Sequence, residues 1–178
     1  MKVYIVSSAI IVLCVIFMVF TMDNDEYLMT QERYKVIVND AADAAALYYD
    51  KESFADGIKV FNKASGNAAA LDVIKSGLNL NDDLRGGISF LLQNPHDYYL
   101  YYFDGNGTYS KYKNGSLIET SSISYPCVFR EDLTGYEKMV EEPTVIATID
   151  AGYFHFREIF ITDPRLIRTS GYEHVSPR

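Results

Sequence analysis

The sequence has no tryptophan, two cysteines, three histidines and five prolines. Two cysteines build neither a disulfide framework nor a four-thiolate metal site. With only eleven glycines beside the prolines, 178 residues hold no collagen repeat and no low-complexity linker. HExxH, CxxC, GxSxG and the glycine-rich phosphate loop are all missing, so no familiar hydrolase, redox or nucleotide motif offers itself. His96, His155 and His174 lie too far apart to pair at a metal-ligand spacing. No cofactor, metal site or catalytic residue is therefore expected, and a non-enzymatic role is favoured.

Charge is the most informative absence. Positions 3–22 read VYIVSSAIIVLCVIFMVFTM, with seventeen apolar residues of twenty and no charged one. Twenty helical residues at about 1.5 Å each cover about 30 Å, the depth of a bilayer's hydrocarbon core. Val3, Ile10, Leu13, Phe17 and Met22 mark this expected membrane anchor, which would contact lipid directly. A cleaved secretory signal would have a shorter apolar run ending in small residues, whereas this run leaves through Phe20, Thr21 and Met22. Cys14 sits mid-span between Leu13 and Val15, without the small neighbour that lipidation needs. The span is thus expected to be retained. The mean hydropathy of −0.06 averages this span with a polar remainder.

Lys2 lies on the short side of the span, and Asp23, Asp25 and Glu26 open the long side. The positive-inside rule then places the N-terminus in the cytoplasm and the other 156 residues outside the cell membrane. Setting Lys2 aside takes the net charge from −8 to −9 for that outer part. Such an acidic surface disfavours nucleic acid and anionic lipid as partners.

From Asp25 to about Asp50 the pattern is helical, with Tyr27, Tyr34, Ala41 and Tyr48 seven apart. No Gly or Pro interrupts from Met1 to Lys51, so the membrane helix can run on into this stalk. Tyr34, Ile37, Ala41, Ala44, Ala45 and Tyr48 form a candidate packing seam. It would pack either on the protein's own sheet or on neighbouring subunits. A second helix is expected from Ser53 to Lys63, ending near Gly66, and a third from Asn67, acting as cap, to Gly77. Leu80–Gly87 reads as a hinge.

Beyond Pro95 the composition turns to strands. Tyr98–Phe103, Tyr109–Tyr112, Leu117–Ile123, Cys127–Phe129, Thr144–Ile149, Tyr153–Ile161 and Arg165–Thr169 are expected strands, with Asn114-Gly115 as a hairpin signal. Asp104-Gly105-Asn106-Gly107 is read as a turn, because the calcium-loop pattern fails at Tyr109 and Gly115. Glu137, Lys138, Glu141 and Glu142 suggest a short solvated helix. Cys127 is expected to be a buried apolar residue. The chain then divides into an anchor (1–22), a helical stalk (23–94) and a strand-rich head (95–178). The fold class is α+β: a membrane helix, an amphipathic continuation and an antiparallel sheet.

The apolar run 3–22 followed by Asn39-Asp40-Ala41-Ala42-Asp43-Ala44-Ala45-Ala46 resembles the TadE-like pseudopilins and pilin-like subunits of bacterial tight-adherence pili. The resemblance covers about the first 50 residues. It implies a single-pass component of a pilus or secretion-like assembly, with other assembly subunits, or further copies of itself, as partners. Where leader-processed pilins carry Glu five positions after a small residue, this chain has Cys14 after Ala9. The resemblance therefore points to a membrane-held assembly factor. Two other classes stay open. One is a scaffold of a conjugation or type IV secretion channel with a nuclear-transport-factor-2-like head, which a cone-shaped pocket between helices and sheet would favour. The other is a tethered enzyme or ligand-binding domain built around His155, Arg157 and carboxylates. A long protruding first helix would favour the pilin-like reading.

Overall fold

The computed structural model describes residues 2–92, 94–155 and 165–173. One helix, α1 (Lys2–Ala46), runs unbroken through the apolar span and the stalk. Its 45 residues give it a length of about 67 Å. No residue of the apolar span 3–22 is buried. Beyond it the helix acquires a buried stripe: Asp23, Thr30, Tyr34, Ile37, Val38, Ala41, Ala42, Ala45 and Ala46. The helix is one element with two environments.

Two short helical pieces follow, α2 (Lys51–Ala55) and α3 (Lys63–Leu78). The expected helix boundaries here are wrong. Residues 56–62 form a connector in which Phe61 bridges back to Tyr49, and α3 starts at Lys63 with Asn62 as its cap, accepting a hydrogen bond from the Ser65 N–H at 3.1 Å. Gly66 and Gly77 lie inside α3 and do not end it. A Cβ on Gly66 would stand 3.0 Å from the Ala45 carbonyl oxygen and 2.8 Å from the Tyr102 hydroxyl. One on Gly77 would meet Ile37 at 2.9 Å. Both glycines exist for close approach of α3 to α1 and the sheet, and the helix stops at Asn79, which takes the left-handed conformation.

The main sheet has five antiparallel strands in the order β3-β2-β1-β6-β7. They are β1 (Asp97–Phe103), β2 (Thr108–Lys113), β3 (Ser116–Ser122), β6 (Thr144–Tyr153) and β7 (Arg165–Glu173). The fold is α+β, as the sequence indicates. Asn114 and Gly115 both adopt positive φ, the geometry of the two-residue hairpin turn between β2 and β3. The expected strand Tyr153–Ile161 is met only at Tyr153, the end of β6, and at a bridge from Phe154 to Leu92; positions 156–161 lie outside the described residues.

A separate hairpin pairs β4 (Cys127–Arg130) with β5 (Glu137–Val140). The acidic stretch expected as a short helix therefore begins as a strand. Its backbone pairs with β4, and Val140 drops into a small core with Tyr101, Phe103, Phe129 and Ile146. Tertiary pairing outweighs the local preference of four residues.

The helices cover one face of the sheet. Leu100, Tyr102, Val145, Ala147 and Ile149 point into a core shared with the α1 stripe, Ala70, Ile74 and Leu78. The β4–β5 hairpin caps part of the other face. Leu80–Gly87 is stitched at both ends, with Leu80 bridging Gly86 and the Leu84 carbonyl accepting from the His96 N–H at 2.9 Å. The expected hinge is thus a fastened turn.

Candidate functional site

The span's side chains stand clear of the folded domain. Val3, Ile10, Leu13, Phe17 and Met22 are all more than half or about half exposed, from 76% at Val3 to 50% at Met22. Twenty uncharged residues presented in this way make a continuous exposed apolar surface. The helix is long and apolar enough to cross a membrane. Cys14 is exposed on this helix and Cys127 is half-buried in β4, both as free thiols. Burial raises the Cys127 thiol above its ordinary pKa.

The packing seam sorts differently. Tyr34, Ala41 and Ala45 are fully buried and Ile37 nearly so, all of them against the chain's own α3 and sheet. Ala44 is half-buried and Tyr48 is exposed. The stripe is therefore spent inside the protein, and the intermolecular alternative for these four buried positions is unavailable while the domain stays folded. The outward-facing apolar positions are instead Val36 on α1 and Leu47 just past its end, at 55% and 73% exposure.

Three buried polar fastenings tie the helices to the sheet, and sequence reading missed all of them. First, the Tyr34 hydroxyl meets Nε2 of His96, with the two rings stacked. Nδ1 of His96 lies 3.1 Å from the Leu84 carbonyl oxygen, which can only accept. Nδ1 therefore carries the proton and Nε2 accepts from Tyr34. Second, Asp104 is fully buried, accepting from the Phe61 N–H at 2.8 Å and from Lys63 Nζ at 2.5 Å. Third, Lys59, in the connector between α2 and α3, is nearly buried, with its ammonium over the rings of Tyr49 and Phe61 at 5.2 and 5.1 Å and of Tyr172 on β7 at 5.9 Å. In the first two the partners stand far away in sequence, 62 residues for Tyr34–His96 and 43 for Phe61–Asp104, and no local pattern reveals such pairs.

Burial lowers the His96 pKa below 6.5, and this outweighs the raising effects of the Leu84 carbonyl and of Asp150. The unfolded chain then binds the proton more readily than the folded one. Stability is complete above about pH 6.5 and declines as the pH falls below the unfolded imidazole's pKa. Urea titrations between pH 7.5 and 5 are expected to show this loss, and His96→Gln should flatten the dependence. An unchanged slope in the variant would assign the acid sensitivity elsewhere.

Among the described residues catalytic geometry is not evident. Glu131 is buried, but its carboxylate is used by the Tyr101 hydroxyl, by the backbone N–H groups of Leu133 and Thr134, and by the Thr134 hydroxyl. Asp150 is taken by Arg165 and the Gly152 N–H. Among the described residues no three His, Cys, Asp or Glu side chains gather to hold a metal ion. The His155 N–H donates to the Leu91 carbonyl at 2.9 Å, while Arg157 and His174 lie outside the described residues.

No family model, curated protein or solved structure matches the chain.

Proposed function

We propose that this chain is a single-pass, membrane-anchored, non-enzymatic subunit of a pilus-like or secretion-type surface assembly, working by packing against other subunits. One observation carries the reading: α1 is both the exposed apolar span and the spine of the folded head. A continuous helix transmits the position of the head rigidly to the membrane, which suits an assembly part better than a flexibly tethered enzyme.

The space between helices and sheet also bears on the choice. Leu100, Tyr102, Val145 and Ile149 fill it against Tyr34, Val38, Ala41 and Ala45. A channel scaffold with a cone-shaped pocket would leave that region open. The long protruding helix and the filled interface both favour the pilin-like alternative. The acidic exit at Asp23, Asp25 and Glu26 supports a cytoplasmic N-terminus and an extracytoplasmic head.

Topology is tested with Val128→Cys, an exposed position on β4, in a chain whose Cys127 is replaced by serine. A membrane-impermeant maleimide applied to spheroplasts is expected to label it. Labelling only after lysis would invert the orientation and remove the surface assembly from consideration.

A further inference from the structure

We infer that the head does not stand away from the bilayer but rests on it, with Phe90, Leu28 and Met29 seated in the lipid headgroup layer of the membrane that holds α1. The inference rests on the anchor reading and specifies which face of the head meets lipid.

The head begins where the apolar span ends. Val19, inside the span, is already half-buried by the chain, and Asp23, the first charge after it, is fully buried. Four residues on from Asp23, Tyr27 packs edge-on against Phe154 with ring centroids 5.1 Å apart. Phe154 bridges Leu92, and the His155 N–H bonds the Leu91 carbonyl, so the loop 88–92 is fixed at this level. The lower rim of the head is therefore set by hydrogen bonds and ring packing.

That rim is unusually apolar for an outer surface. Phe90 and Met29 are each 67% exposed and Leu28 is 51% exposed. Leu28, Met29 and Ile88 line one open groove of about 630 Å³, with Glu26, Thr30, Glu32 and Arg33 around it. Leu28 and Met29 follow Met22 by six and seven residues, about 9 and 10.5 Å along the axis, so their backbone stands just above the headgroup layer and their side chains must reach down into it. Helical side chains lean toward the N-terminus, which here means toward the bilayer. The headgroup layer extends about 5–7 Å beyond the hydrocarbon on each side. Helix tilt, commonly about 20°, lowers one side of the rim further.

Lipid fits this rim better than another copy of the chain does, because the rim lies within two helical turns of the end of the span, just past Asp23, Asn24, Asp25 and Glu26. The glutamates around the groove specify a zwitterionic headgroup layer over an anionic one.

The absence of tryptophan makes the test clean, since each introduced Trp is the sole indole and can be excited selectively beside the tyrosines. Full chains carrying Phe17→Trp, Met29→Trp, Phe90→Trp or Leu117→Trp are reconstituted in phosphatidylcholine vesicles. Leu117, exposed on β3, is the control for open water. Phe17→Trp should lose most of its emission to lipids brominated deep in the acyl chain. Phe90→Trp and Met29→Trp should be quenched by headgroup nitroxide lipid and shielded from aqueous iodide, unlike Leu117→Trp. If Phe17→Trp is quenched while both rim probes respond to iodide as Leu117→Trp does, the head stands clear and the inference fails alone. Failure at Phe17→Trp overturns the anchor as well. Rim shielding without lipid quenching, and fading as protein is diluted in lipid, would assign the patch to a second copy and overturn the lipid assignment.

Discussion

Replacing Ile10, Leu13 and Phe17 together with arginine is expected to remove the chain from the membrane fraction. Each arginine near the centre of a span costs about 3 kcal/mol on the insertion scale, so three cost about 9 kcal/mol. The native span draws on twelve Leu, Ile, Val and Phe residues between positions 3 and 22. At about 0.3–0.6 kcal/mol each, these contribute about 5 kcal/mol, less than the penalty. The head should survive, because these three side chains take no part in its core. Carbonate extraction of membranes, with limited proteolysis to follow folding, separates the two effects. A triple variant that remains integral to the membrane would mean that positions 3–22 are not the anchor.

The second large effect falls on folding. Asp104→Ala is expected to destabilise the domain by about 3 kcal/mol, in the range for breaking a buried charge pair. The carboxylate has no contact with water, and its loss leaves the Phe61 N–H buried without its acceptor. Lys63 is about one-quarter exposed and can turn outward, which keeps the cost at the lower end of that range. Asp104→Asn keeps an acceptor for Phe61 and sets an amide NH2 toward Lys63, which can turn outward, so its loss should be about half as large. Urea denaturation of both variants measures this. Equal losses would place the effect in the charge, and a negligible loss in both would remove Asp104 as the fastening of the α2–α3 connector.

How much of this was visible beforehand depended on the range of the interaction. The span 3–22 was legible because lipid solvation acts on one side chain at a time. β1 and the Asn114-Gly115 turn were legible because aromatic strands and positive-φ turns are local chemistry. Gly66 and Gly77 misled, since a glycine needed for close packing looks the same in sequence as one that ends a helix. The seam at Tyr34, Ile37, Ala41 and Ala45 was found as a stripe, but a stripe carries no information about which surface covers it. The Tyr34–His96 and Asp104–Lys63 fastenings and the Leu28–Met29–Phe90 rim depend on segments that meet only in the fold.

These burials also decide where a partner can be sought. Positions 41 and 45 are sealed within the domain, whereas Val36, Leu47 and Val128 face outward. The central claim is that the chain works by packing against other subunits. Its most direct test places a photo-reactive amino acid at Val36, Leu47 or Val128 and irradiates intact cells. Adducts heavier than the 20.2 kDa chain are expected from at least one position, containing further copies or other membrane-anchored proteins. A membrane-integrated chain that yields no adduct from any of the three would contradict the claim.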